Sequence, residues 1–233
     1  MATTKRIVCL ANSRKLSGRC IAGKEMIGKT IGDWIRPVSA REHEEVSEYE
    51  RQYQDGSDPK VLDVIDVPLL SHSPKGHQPE NWLLDPDTYW NRAGQVTWND
   101  LGHMVDSPTT LWSNDSSTYS GLHDRVAAAD ADTFGVSLYL LKVQALRLRV
   151  LAPGANFGNP KRRVQAEFTH EGITYQLWVT DPLVEQTYRA KADGDYPIGS
   201  CFVTISLGEP ADGFCYKLVA TIITPNRAAT GVL

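Results

Sequence analysis

The residues from Gly23 to Thr30, GKEMIGKT, fit the phosphate-loop pattern G-x-x-x-x-G-K-[ST] letter for letter. The chemistry of that loop is anion capture. A buried strand runs into it and a helix leaves from the Gly-Lys-Thr, so that successive backbone N–H groups and the helix N-terminus cradle a phosphate. Here Gly32 and Pro37 break anything longer than a turn, and Trp34-Ile35-Arg36 reads as strand, so the match is expected to fall in a hairpin. Other catalytic signatures are missing: the sequence has no G-x-S-x-G elbow, no H-E-x-x-H and no Cys-His context. Asp63, Asp66 and Asp181 stand at strand ends, where aspartate forms turns more commonly than it holds Mg²⁺. The six histidines lack ligand spacing, and Cys9, Cys20, Cys201 and Cys215 sit in apolar strand-like text as reduced core residues. No metal site, cofactor or catalytic residue is expected.

The remaining chemistry is cationic. Net charge is −4, yet residues 1–41 hold nine Lys/Arg against two Asp/Glu, while 42–66 hold nine Asp/Glu against two Lys/Arg. A second basic tract, 133–166, contains Lys142, Arg147, Arg149, Lys161, Arg162 and Arg163 and no acidic residue. Screening at physiological salt makes the local face, not the average, the quantity that a polyanion senses. Two groups of residues fit phosphate tracking with base stacking. The first is Asn12, Ser13, Arg14, Lys15, Arg19 and Lys24 around the first hairpin, with Trp34 and Arg36 on the third strand. In it, Asn12 and Ser13 are expected at a turn, offering donors beside two cations. The second is Arg147 and Arg149, opposite Leu146 and Leu148, meeting Lys161, Arg162 and Arg163 near Trp178. The same cations also suit the solvated outer faces of strands, or a contact with the acidic segment 42–66.

The elements that must position these residues are strands. Ile7–Ala11, GRCIAGKE and DWIRPVS are short β-rich runs with glycine punctuation, predicting a curled antiparallel meander. Ser47 and Glu50 match a capping box for a short helix, and VLDVIDVPLL predicts a fourth strand closed by Pro68. Residues 71–136 are loop-rich, with Trp82, Trp90, Trp98 and Trp112 better suited to anchoring loops on the core than to stacking bases or sugars. The second half predicts a long strand at SLYLLKVQALRLRVL, a hairpin turning at Glu171-Gly172, a helical insert within 182–198 and two further strands. The expected fold is mainly β with short helices: two tandem small barrels joined by a long loop-rich segment, 1–134 and 135–233, although no repeat is evident in the sequence.

RIVCLANSRKLSGRCIAGKE, WIRPVS, DGSDPKVLDVIDVPL, QPENWLLDP and SLYLLKV together resemble the bacterial dual-OB-domain family, over residues 4–224. The resemblance implies two OB folds in tandem and a setting in prokaryotic conflict and defence systems; it brings no catalytic residues. The combined reading is a cytoplasmic, non-catalytic module that binds nucleic acid, a single strand or an end. Alternatives are an adaptor that recruits an effector protein of a defence system, or a sensor or enzyme for a nucleotide-like small molecule. No run is apolar enough to span a membrane, and no membrane partner is expected.

Overall fold

A computed structural model describes residues 3–233. The chain divides into two compact units: residues up to Met104 together with Gly135–Ser137, and Val105–Phe134 together with Leu138–Leu233.

In the first unit, β1 (Thr3–Lys15), β2 (Gly18–Ile27) and β3 (Thr30–Val38) form the antiparallel meander, followed by α1 (Glu48–Arg51), β4 (Asp63–His72), β5 (Asn81–Leu84) and β6 (Asn91–Gln95). The barrel order is β1-β2-β3-β5-β4, closed by β1 pairing antiparallel with β4, while β3 and β5 run parallel and β6 extends β4. This is the five-stranded Greek-key ring of an OB barrel. Ile7, Cys9, Ile21, Ile35, Ile65, Val67 and Leu84 fill it, and the Ser47–Glu50 capping box holds α1. The tight curl of β1 against β2 needs Gly23, because a Cβ there would lie 2.1 Å from the Val8 carbonyl oxygen.

Three local expectations change. The first hairpin turns at Leu16-Ser17, so Asn12 and Ser13 are strand residues paired with Ile21 and Cys20. The apolar run that suggested an earlier turn ends only because the strand's outer positions become polar. β4 passes through Pro68 to His72, and the Pro68 carbonyl accepts the Asp85 N–H at 3.0 Å. The loop-rich stretch contributes β5, without which the first ring would stay open. The phosphate-loop match is the β2–β3 turn, with Gly28 at φ 63° and no helix after it.

The second unit adds β7 (Arg125–Ala127), α2 (Ala128–Ala131), β8 (Leu138–Leu151), β9 (Arg163–His170), β10 (Ile173–Val179), α3 (Pro182–Arg189), β11 (Gly194–Ala211), β12 (Phe214–Ile223) and α4 (Pro225–Thr230). Its ring runs β8-β9-β10-β12-β11 and back to β8, with β10 and β12 parallel. Strand for strand this is the order of the first unit, and a helix follows the third strand in both. The β9–β10 hairpin turns at Glu171-Gly172, both with positive φ. Val164, Ala166, Phe168, Tyr175, Leu177 and Val179 point inward from it. Asp181 is a folding residue: its carboxylate caps α3 at Leu183 and Val184 and also receives the Ile222 N–H and the Arg227 guanidinium.

Candidate nucleic-acid interface

An OB barrel presents ligands with the face of its second and third strands and with the loops joining strands 1–2 and 4–5. In the first unit that region is an open cleft of about 490 Å³. β2 and β3 supply Glu25 and Trp34, β1 supplies Lys5, and the end of β4 supplies His72. The β4–β5 connection and β5 supply Glu80 and Trp82, and the 135–136 stretch completes the wall. Trp82 is half-buried, with Lys5 Nζ 4.6 Å from its ring centroid and the exposed His72 ring 5.0 Å away. Trp34 lines the cleft at only 9% exposure, and the buried Lys24 has its Nζ 5.6 Å from the Trp34 ring centroid. The cleft therefore combines indole surface with the ammonium group of Lys5, the pairing on which bases stack and phosphates rest. Its field is moderate, since Glu25 holds Lys5 at 2.9 Å and Asp33 lines the wall.

Of the residues expected from the sequence, Trp34 lines this cleft, while Lys24 is buried against its ring and does not line it. Arg36 is not presented to solvent. It is buried beside Glu80 at 2.8 Å, donates to Ser137 Oγ at 2.8 Å, and Ser137 in turn donates to Glu80. Those contacts pin 135–137 onto the first barrel. Asn12 donates to the Pro59 carbonyl at 2.8 Å and buried Ser13 to the Cys20 carbonyl, so both side chains serve the fold. Arg14, Lys15 and Arg19 flank the hairpin tip at the other end of β1 from Lys5. The acidic stretch lies against this hairpin: Ser17 donates to Glu45 Oε1, and Arg19 and Val46 exchange backbone hydrogen bonds.

In the second unit the strands do bring the expected cations together. Arg147 and Arg149 on β8 face Glu167 and Gln165 on β9, and Arg163 lies 4.0 Å over Trp178. Carboxylates come with them. Arg147 meets Glu167 at 3.3 Å and Asp195 at 3.8 Å, Arg149 meets Asp195 at 3.2 Å, and Arg162 meets Asp193 at 2.8 Å. Lys161 is exposed in the β8–β9 connection. Trp178 points outward by alternation, yet it is 7% exposed. Gln165 reaches the Ser120 carbonyl, and Leu122 and Gln176 exchange backbone hydrogen bonds, so the chain's own segment 120–122 lies over this face.

Lys5, His72 and Trp82 line this cleft although the sequence did not single them out for it. Their signal was the OB strand order itself, which places QPENW at the fourth-to-fifth strand connection. Among the described residues no three His, Cys, Asp or Glu side chains gather to hold a metal ion, and no helix is long and apolar enough to cross a membrane.

Two closed five-stranded rings of one order, the first with an aromatic cleft on its second and third strands, define a tandem OB-barrel protein. Over residues 5–222 the chain matches the dual OB-containing domain, and it belongs to that family. No curated protein matches the chain. Among solved structures it is similar to the tetrameric p202 HIN2, at 9% identity and a TM-score of 0.32 across 95% of this chain and 93% of that one, a likeness too distant to carry functional inference.

Proposed function

We propose that this protein binds single-stranded nucleic acid through the first barrel, in the cleft bordered by Lys5, Trp34, His72 and Trp82, without chemistry of its own. The observation that carries the reading is Trp82, part-exposed beside a lysine and a histidine at the strand-and-loop position where OB barrels take oligonucleotides. Base stacking leads and charge assists, because Lys5 shares the cleft with Glu25 and Asp33. The second barrel is a weaker candidate, its arginines being matched by carboxylates. The family resemblance supports a setting in bacterial defence, where such a strand would belong to an invader or to a processing intermediate.

Fluorescence anisotropy with single-stranded DNA and RNA tests the site. Trp82→Ala should weaken binding by about 1–3 kcal/mol, roughly 5- to 150-fold, the worth of one base stack. Equal affinity of Trp82→Ala and the parent chain, or no binding of either polymer at low salt, would overturn the reading.

A further inference from the structure

The cleft around Trp82 carries three carboxylates in its lining, Glu25, Asp33 and Glu80. Two of them are answered within the barrel. Lys5 Nζ holds Glu25 Oε1 at 2.9 Å, and Arg36 Nη2 lies 2.8 Å from Glu80 Oε1. The third, Asp33 on β3, is exposed and forms no ion pair or side-chain hydrogen bond with another described residue. It is an accessible acceptor carrying a full charge.

The strands set this acceptor near the indole. Asp33 and Glu25 adjoin the Trp34–Lys24 pair of β3 and β2, and Lys5 reaches from Glu25 to the Trp82 ring, with its Nζ 4.6 Å from the centroid. Along β3, Asp33 stands four residues before Pro37, the partner of Trp82 on β5. That is about 13 Å at roughly 3.3 Å per residue, an interval that an indole, a base laid on it and a carboxylate arm cover together.

A carboxylate here selects what a stacked base must bring. It repels phosphate, so a bound strand turns its backbone away and a base edge inward. That edge must donate to two oxygens. On the Watson–Crick edge guanine alone of the standard bases offers two donors side by side, N1–H and the N2 amino group. Cytosine and adenine present one amino group next to an unprotonated ring nitrogen, and thymine or uracil one N–H between two carbonyls, so each sets a lone pair against the carboxylate. Two parallel N–H···O⁻ bonds are charge-assisted and fix the base in its plane.

We infer that Asp33 determines the base specificity of the cleft and makes it prefer guanine, read through N1–H and the N2 amino group while the ring lies on Trp82. The inference rests on the cleft being the strand-binding site proposed above.

Fluorescence anisotropy of the full chain with thymidine octanucleotides carrying guanine, inosine, adenine, cytosine or thymine at the two central positions tests it. The guanine strand should bind more tightly than the adenine, cytosine and thymine strands by roughly 5- to 150-fold, the discrimination given by one bidentate pair. Inosine, which keeps N1–H and lacks the amino group, should lose most of that advantage. Asp33→Asn, whose folding a thermal melt verifies, should reduce the guanine preference to twofold or less and leave the all-thymine strand bound as before. A guanine preference that survives Asp33→Asn, or an inosine strand that binds as the guanine strand does, overturns the inference. Strands that bind alike whatever the central base, yet weaken in Trp82→Ala, overturn it and leave the cleft as the binding site. If no strand binds at low salt, the cleft reading and this one fall together.

Discussion

Arg36 and Lys217 are both cations on strands, and in each the surroundings, not the residue type, decide the role. Arg36 and Glu80 are each about 5% exposed and share Ser137. Removing one partner of such a pair strands the other charge, so Glu80→Ala should cost about 3–5 kcal/mol of stability, measured from urea midpoints. The double replacement Arg36→Met with Glu80→Met should recover most of that loss. Lys217, 1% exposed, donates to the Ser113 carbonyl at 2.6 Å and to Asn114 Oδ1 at 3.0 Å, tying the 105–124 stretch to the second barrel. Burial lowers its pKa to about 7, although Asp124 and Asp115 pull the other way. From pH 7 up to its ordinary range the unfolded chain therefore binds more protons than the folded one, and this residue makes stability rise with pH. Burial raises the Cys201 and Cys215 thiols to about 12 and about 11, which reverses the trend once unfolded thiols ionise. Thermal melts should climb from pH 7 to about 9, and Lys217→Met should flatten that climb.

At the scale of the element, the strands with one buried face were the readable part. Alternation through Val164–Phe168 and Ile173–Val179, with Glu171-Gly172 between them, predicts the β9–β10 hairpin that is observed. The Ser47–Glu50 box likewise predicts α1. β5 was hidden, since its four residues lie among prolines and polar text, and its pairing is parallel to β3 and so non-local. The end of β1 was misplaced for a related reason: Asn12 and Ser13 look like turn formers, but cross-strand pairing to Ile21 and Cys20 overrides that preference. Gly23 belongs to this scale because it governs how closely β2 crosses β1. Gly23→Ala drives a methyl against the Val8 carbonyl and should cost about 1–3 kcal/mol in chemical denaturation, whereas alanine at Gly94, which has open space around it, should cost much less.

Over the whole molecule, two rings repeat one strand order with no visible sequence repeat, because an OB barrel constrains where apolar residues face and leaves their identity free. The net charge of −4 and the pairing of Arg147, Arg149 and Arg162 with Glu167, Asp195 and Asp193 leave little long-range field for a polyanion. Binding that relies on Lys5 should then fall with salt at a log–log slope of roughly −0.7, the worth of one phosphate contact. The double variant Arg147→Ala, Arg149→Ala should leave affinity and slope unchanged in the same titration, and a slope several times steeper would move the site to another face.

Composition, alternation and turn chemistry are local properties, and by themselves they determined the β class, the two-barrel plan and the hairpin nature of the phosphate-loop match. Which cations meet solvent and which meet carboxylates is a non-local matter. The sequence could mark the basic tracts, but Asp195 opposite Arg149, Glu80 beside Arg36 and residues 120–122 over Gln165 come from distant parts of the chain. Only the closing of each ring set those neighbours, and with them the choice of Trp82 over Trp178 as the aromatic surface left open.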